Sequence, residues 1–217
     1  MQKLYLLAFL LVAASAKLAI EINNAAQSRE MFNCLASKNM TRALLQFWDE
    51  KGTINKEFLG NYIRARDANI TSFGAIAVLN DTFTPDQLCN GIAHALPFNF
   101  SGTIWLQVKD SRGLWSREVD SRVSYLENVA KTCQQHGLKP GFYSNAVDWS
   151  AVLGAQGAGS DILSATPVWY SNTNNVVSFD DFCYAGFGTW DEPDMKNYAG
   201  YTSFCNQYFL GADYYEN

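Results

Sequence analysis

Aromatic, amide and acidic side chains stand where short apolar runs of this chain end. The set comprises Glu21, Asn23, Gln46, Trp48, Asp49, Gln107, Lys109, Asp110, Tyr143, Asn145, Trp169, Ser171, Asn172 and Asp213. Flat aromatic rings can stack on the faces of sugar rings, and neighbouring amides can bond sugar hydroxyl groups. The set therefore predicts a carbohydrate site, although each of these residue types is also common in an ordinary core or loop.

Alternating strands and helices must bring these side chains together. Strands are predicted at residues 18–22, 43–48, 75–79, 103–108, 141–143, 168–170 and about 206–210, and helices at 28–36, 84–96 and 120–135. In the last helix Val123, Leu126, Val129 and Cys133 recur at helical spacing. A strand, a helix and a second strand in succession need a crossover, so the strands should be parallel.

This alternation leaves two architectures open, a β/α barrel and an open doubly wound sheet. No G-x-G-x-x-G or G-x-x-x-x-G-K-[ST] segment follows a strand, which argues against a nucleotide-binding sheet. In both architectures the ligand site lies at the carboxyl ends of the strands, where the listed side chains stand.

The N-terminal residues predict export. Met1-Gln2-Lys3 is followed by an apolar run over residues 4–14 and by the small-x-small sequence Ala14-Ser15-Ala16, the pattern of a cleaved secretory signal. The run is shorter than the roughly 20 residues that span a bilayer, so no membrane partner is expected. We predict a signal peptide over residues 1–16 and one domain over residues 17–217, delivered outside the cell or to a lysosome-like or phagosomal compartment.

Composition narrows the possible partners. The formal net charge of −5 argues against nucleic acid, and a monomer is expected. Two histidines and no C-x-x-C spacing argue against a structural zinc site, and we expect neither metal nor cofactor. Five cysteines allow at most two internal disulfides with one thiol left over. Four N-x-[ST] sequons, at Asn39, Asn69, Asn80 and Asn99, are possible glycan acceptors on the export route.

Several segments of the second half resemble the invertebrate and protozoan lysozymes of glycoside hydrolase family 25. The segments are Gly141-Phe-Tyr-Ser-Asn-Ala-Val-Asp-Trp149, Pro167-Val-Trp-Tyr170, Ser178-Phe-Asp-Asp-Phe182, Phe187-Gly-Thr-Trp190, Lys196-Asn-Tyr-Ala-Gly200, Cys205 and Gly211-Ala-Asp-Tyr-Tyr215. Ordered motifs cover about residues 103–215, whereas residues 17–100 match only in the order of strands and helices. The resemblance implies an irregular TIM-like β/α barrel. It also implies action on the β-1,4 bond between N-acetylmuramic acid and N-acetylglucosamine in peptidoglycan, in antibacterial defence or bacterial digestion.

The resemblance also implies an acidic cluster, which this chain matches only in part. The family's first-strand Asp falls on Glu21, and its C-terminal Asp falls on Asp213. Its Asp-x-Glu, in which the Glu is the general acid, falls on Gln107-Val-Lys109. Gln107 cannot ionise, and a Lys109 ammonium would place positive charge where an oxocarbenium-like charge develops. Asp110 is a poor substitute because adjacent strand residues point to opposite faces.

Three functions therefore remain open. The first is a lysozyme-like protein that binds peptidoglycan or another glycan through Trp48, Tyr143, Asn145 and Trp169, with weak or no hydrolysis. The second is an active glycosidase that uses Glu21 and Asp213, which would need carboxyl groups roughly 5 to 9.5 Å apart. The third is a non-catalytic scaffold or interaction protein. For Lys109, the alternatives are a salt bridge to Glu21 or Asp213 and a side chain that extends to water.

Overall fold

The computed structural model describes residues 17–215. The predicted signal peptide lies outside these residues. The strands are β1 (Lys17–Ile22), β2 (Met40–Trp48), β3 (Ser72–Val78), β4 (Thr103–Gln107), β5 (Pro140–Ser144), β6 (Val168–Ser171), β7 (Met195–Ala199), β8 (Thr202–Phe204), β9 (Gln207–Phe209) and β10 (Gly211–Tyr215). The helices are α1 (Arg29–Ser37), α2 (Phe58–Asp67), α3 (Pro85–Ala95), α4 (Val119–Gln135), α5 (Ala146–Leu153), α6 (Asp161–Ser164) and α7 (Phe182–Ala185).

Eight of these strands close into a barrel in the order β1-β10-β7-β6-β5-β4-β3-β2. Strands β1 to β7 pair in parallel with their neighbours, and β10 closes the barrel by pairing antiparallel with both β1 and β7. The predicted TIM-like β/α barrel is therefore confirmed, and the open doubly wound sheet is excluded. No described helix has the length and apolar character needed to cross a membrane.

Strand alternation divides the apolar residues between two cores. A small cluster fills the barrel interior and comprises Ala19, Leu44, Ile76, Trp105, Tyr143, Trp169, Met195 and Tyr215. A larger cluster lies between the barrel and its helices. Because successive strand residues face opposite sides, Glu21, Gln107 and Asp213 share the inner face with Ala19, Trp105 and Tyr215, each two positions away.

Two disulfides form and one thiol is left over, as the cysteine count predicts. Cys34–Cys205 joins α1 to the hairpin formed by β8 and β9, and Cys89–Cys133 joins α3 to α4. Cys183 is free and exposed. The first bridge fixes the hairpin to α1 although 171 residues separate the two cysteines in sequence.

The barrel closes on two strands that the sequence pattern does not predict, β7 and β10. The strand expected at residues 206–210 corresponds to β9, which pairs only with β8 and lies outside the barrel. In β7 the outward residue Lys196 is fully buried, and its ammonium lies 2.9 Å from Asp181 Oδ2. The same carboxylate accepts hydrogen bonds from the Tyr170 hydroxyl and the Asn172 amide. This network joins β6, β7 and the start of α7. Lys196 and Asp181, which belong to two of the motifs that resemble the family, therefore have a structural role here.

Candidate active site

A groove of about 1040 Å³ opens at the carboxyl ends of β1 to β5. Its floor includes Glu21, Gln46, Gln107 and Tyr143. One wall is the loop over residues 49–56 that follows β2, and the opposite end is bounded by Tyr201 and Leu210 on either side of the hairpin. The predicted location, at the strand ends, is where the groove lies.

Glu21 brings a carboxyl group to this floor from the end of β1. It is only 5% exposed, and Gln46 Nε2 donates a hydrogen bond to its Oε1 at 3.0 Å. Burial raises the pKa of Glu21 from an ordinary 4.5 to about 7, although hydrogen bonds from Gln46 and Tyr143 act in the opposite direction. Glu21 is therefore poised to exchange a proton near neutral pH.

Asp213 lies below Glu21, inside the barrel, and does not line the groove. Its side chain is fully buried, and Asn197 Nδ2 donates a hydrogen bond to its Oδ1 at 3.1 Å. Burial, together with the charge of Glu21, raises the pKa of Asp213 well above its ordinary range. Its Oδ2 and the indole N–H of Trp169 are both buried without a well-formed hydrogen bond. The charge of Glu21 therefore opposes ionisation of Asp213.

Lys109 pairs with an acid that the sequence analysis did not consider. Its Nζ lies 3.0 Å from Glu50 Oε2, and both side chains are partly exposed at the groove mouth. Of the two alternatives stated for Lys109, the salt bridge to Glu21 or Asp213 does not form in the described structure, and the side chain is partly exposed. The reason is position: Lys109 stands two residues beyond the end of β4, level with the loop after β2 rather than with the buried acids.

The aromatic residues predicted to bind sugar are placed at different depths. Tyr143 lines the groove, whereas Trp48 reaches only its margin, because its ring is buried against Phe83 and Gly91. Trp169 lies underneath, fully buried, with its ring stacked on that of Tyr143 at a centroid distance of 3.6 Å. It can support Tyr143 but cannot touch a ligand in the groove.

Asn145 lies outside the groove as well. Its Oδ1 accepts a hydrogen bond from the backbone N–H of Asp148, and its Nδ2 donates to Asp148 Oδ2 at 2.6 Å. This makes Asn145 the N-cap of α5. Among the other strand-end residues, Asn172 is likewise occupied, because its amide donates to Asp181.

Several residues of this region were not predicted, and four of them matter most to the site. Glu50, Tyr201 and Leu210 line the groove, and Asn197 holds Asp213. Glu50 directly follows Asp49, so its place at a strand end was open to prediction. Asn197 and Tyr201 adjoin strands that the apolar pattern does not reveal. Across residues 17–215 no group of His, Cys, Asp and Glu is arranged to hold a metal ion.

The described residues form a closed β/α barrel with an open groove at its strand ends, a fold shared with solved lysozyme structures. The family model described as lysozyme-like protein 1 matches residues 12–198, and the chain belongs to this lysozyme-like family. The resemblance to the lysozymes of glycoside hydrolase family 25 is thus confirmed.

Two relatives come from Dictyostelium discoideum. Counting factor 50 is 28% identical over 185 residues, which cover 82% of this chain and 59% of that protein. Probable GH family 25 lysozyme 4 is 27% identical over 186 residues, which cover 84% of this chain and 82% of that protein. This chain therefore spans well under two thirds of the first relative and most of the second.

Two solved structures have the same fold. The lysozyme from Streptomyces coelicolor matches with a TM-score of 0.74 at 13% identity, covering 94% of this chain and 93% of that one. The modular autolysin LytC from Streptococcus pneumoniae, solved with a synthetic peptidoglycan ligand, matches with a TM-score of 0.67 at 14% identity. The match covers 93% of this chain and 47% of LytC.

Proposed function

We propose that this protein binds peptidoglycan-type glycan strands in its groove and that its muramidase activity is weak or lost. The observation that carries the proposal is the Lys109–Glu50 ion pair at the groove mouth. Lys109 stands where the family resemblance implies the general acid. A cation there cannot supply the carboxyl proton that the leaving oxygen requires.

The remaining acids do not restore a catalytic pair. Besides Glu21, the groove is lined by Asp49 and Glu50. Glu50 is engaged by Lys109, and one oxygen of Asp49 accepts hydrogen bonds from the backbone N–H groups of Lys51 and Thr53. Asp213 is sealed beneath the floor, so no substrate atom can reach it without opening the barrel.

The groove nevertheless keeps the features that recognise sugars. Tyr143 supplies an aromatic edge at the floor, and Gln46 and Gln107 supply amides beside it. The ring of Trp48 packs mainly against Phe83 and Gly91 in the outer core, so it contributes little surface to a ligand. LytC, whose barrel has the same fold, was solved with a synthetic peptidoglycan ligand. A relative of this chain carries the name of a probable lysozyme. These observations favour a glycan over other ligands.

A second candidate, hydrolysis driven by Glu21, is favoured by one observation. With a pKa of about 7, about half of the Glu21 carboxyl groups carry a proton in neutral solution, and the protonated form is the one that a general acid needs. The partner named for it in the sequence analysis, Asp213, is separated from the groove by burial. Hydrolysis by Glu21 would therefore need a second carboxylate in the groove. The two other acids that line it, Asp49 and Glu50, are already held by hydrogen bonds or an ion pair.

The test compares wall binding and wall clearing. Purified protein is assayed for co-sedimentation with insoluble peptidoglycan and for loss of turbidity of the same suspension. A Gln107→Asp, Lys109→Glu variant restores the family's acid types. A Gln134→Asp, Lys131→Glu variant makes the same change of charge on exposed positions of α4 and serves as the matched control.

We expect the wild type and the control to bind without clearing, and the restored variant to clear the suspension. Clearing by the wild type that is abolished by Glu21→Gln would instead support the second candidate. Absence of binding in all variants would overturn the glycan proposal and leave the scaffold function.

We further propose that the protein works in an oxidising compartment, outside the cell or in a lysosome-like vesicle, in defence against bacteria or in their digestion. Two formed disulfides support this, because such bonds are rare in reducing cytosol. Fractionation of the source cells, with thiol labelling before and after reduction, tests the location. Recovery in the cytosol with five free thiols would contradict it.

A further inference from the structure

We propose that Tyr201 forms an additional sugar subsite at the hairpin end of the groove, where its ring stacks on a pyranose ring of a longer glycan strand. This inference rests on the proposed glycan-binding function and extends it to the length of strand recognised. Tyr201 lines the groove and is 86% exposed. Single exposed tyrosines are common on protein surfaces, and the feature that distinguishes Tyr201 is that its side chain lines the ligand groove, where an aromatic face can stack on a sugar ring.

The position of Tyr201 is fixed relative to the groove floor. It immediately precedes β8, and Cys205, at the tip of the same hairpin, is bonded to Cys34 of α1. At the other end of the hairpin, the Leu210 N–H donates to the backbone oxygen of Glu21 at 3.2 Å. The hairpin is thus tied directly to the strand that carries the floor carboxyl, so little ordering of the backbone is needed on binding.

The groove has room for more than one sugar. Its volume of about 1040 Å³ is at the upper limit of ordinary small-molecule sites, which range from roughly 300 to 1,000 Å³. Tyr143 bonds the Glu21 carboxyl at the floor, whereas Tyr201 lines the groove from the start of the β8–β9 hairpin. A strand that occupies the floor and extends past Leu210 would therefore meet the Tyr201 ring.

The experiment measures affinity against ligand length. The probes are soluble β-1,4-linked glycan fragments released from peptidoglycan and sorted from disaccharide to hexasaccharide, titrated by calorimetry into the full protein. The variants are Tyr201→Ala, Tyr201→Phe and, as matched control, Tyr184→Ala. Tyr184 is 73% exposed and does not line the groove.

For wild type, Tyr201→Phe and Tyr184→Ala, affinity should rise from short to long fragments. Tyr201→Ala should match the wild type on the disaccharide and bind the longest fragments about 3- to 10-fold more weakly, as expected for one aromatic stacking contact. Equal affinities of Tyr201→Ala and wild type at every length, or an equal loss at every length, would overturn the subsite. A wild type that binds no fragment and no insoluble peptidoglycan would overturn the proposed function itself, a result distinct from either of these.

Discussion

Replacing Glu21 by Gln should stabilise the protein in alkaline solution and change little in acid. Glu21 is buried, and the folded protein raises its pKa from 4.5 to about 7. Between these two values the folded state keeps a proton that the unfolded state releases. Stability therefore falls as the pH rises through this window, and it stays reduced above pH 7.

The size of the effect follows from the shift. Each pKa unit corresponds to about 1.4 kcal/mol, so the full penalty above the window is about 3 kcal/mol. At pH 5 the unfolded carboxyl has already begun to ionise, and the expected change between pH 5 and pH 8 is about 2 to 3 kcal/mol. Gln keeps the side-chain oxygen that accepts from Gln46, but it cannot ionise. It also removes the charge that raises the pKa of Asp213, which acts in the same direction.

The assay is denaturant unfolding of wild type and Glu21→Gln at several pH values from 5 to 8. Glu192→Gln, at an exposed position, is the matched control and should follow the wild type throughout. The gain in unfolding free energy from Glu21→Gln should grow with pH and level off near pH 8. A gain that is constant with pH, or a loss that grows with pH, would refute the reasoning, because neither can arise from a buried carboxyl with a raised pKa.

Two further predictions concern the supports of the barrel. Asp181→Ala leaves the Lys196 ammonium buried without its carboxylate and should cost about 3 to 5 kcal/mol in denaturant unfolding, whereas Asp180→Ala, at the exposed neighbour, should cost under about 0.5 kcal/mol. Cys205→Ser opens the bridge to Cys34 and should lower the free energy of unfolding by about 2 to 5 kcal/mol. Limited proteolysis should then show a new cleavage site in the hairpin. Unchanged stability and cleavage elsewhere in the chain would contradict the second prediction.

The sequence allowed prediction of the parallel part of the barrel because its strands are apolar on both faces. In β3 and β4 the inner residues Ile76 and Trp105 are as buried as their outward neighbours, so each strand reads as a continuous apolar run. The same holds for the helix at Val119–Gln135, whose buried face recurs at helical spacing. The site's location at the strand ends followed from that architecture alone.

The strands that close the barrel escaped prediction because buried polar residues interrupt their apolar pattern. In β7, Lys196 faces the helices and Asn197 faces the interior, and both are buried. In β10, Asp213 interrupts the apolar pattern from inside. Each polar group is accommodated by a partner remote in sequence, Asp181 for Lys196 and Asn197 for Asp213. Such polar groups can be buried only when a partner from elsewhere in the fold bonds them, and the local sequence pattern does not show that partner.

The ion pair of Lys109 could not be predicted from a local pattern either. Its partner, Glu50, comes from a loop 59 residues earlier in sequence.

The charged residues that line the groove are Glu21, Asp49, Glu50, Lys56 and Lys109. Two cations and two outer acids balance, so the proton on Glu21 decides the net charge of the groove. Below its pKa of about 7 the groove is formally neutral, and above it one negative charge appears. A neutral groove suits uncharged sugar hydroxyls and tolerates the carboxylates attached to peptidoglycan strands, so glycan binding should weaken as the pH rises past 7.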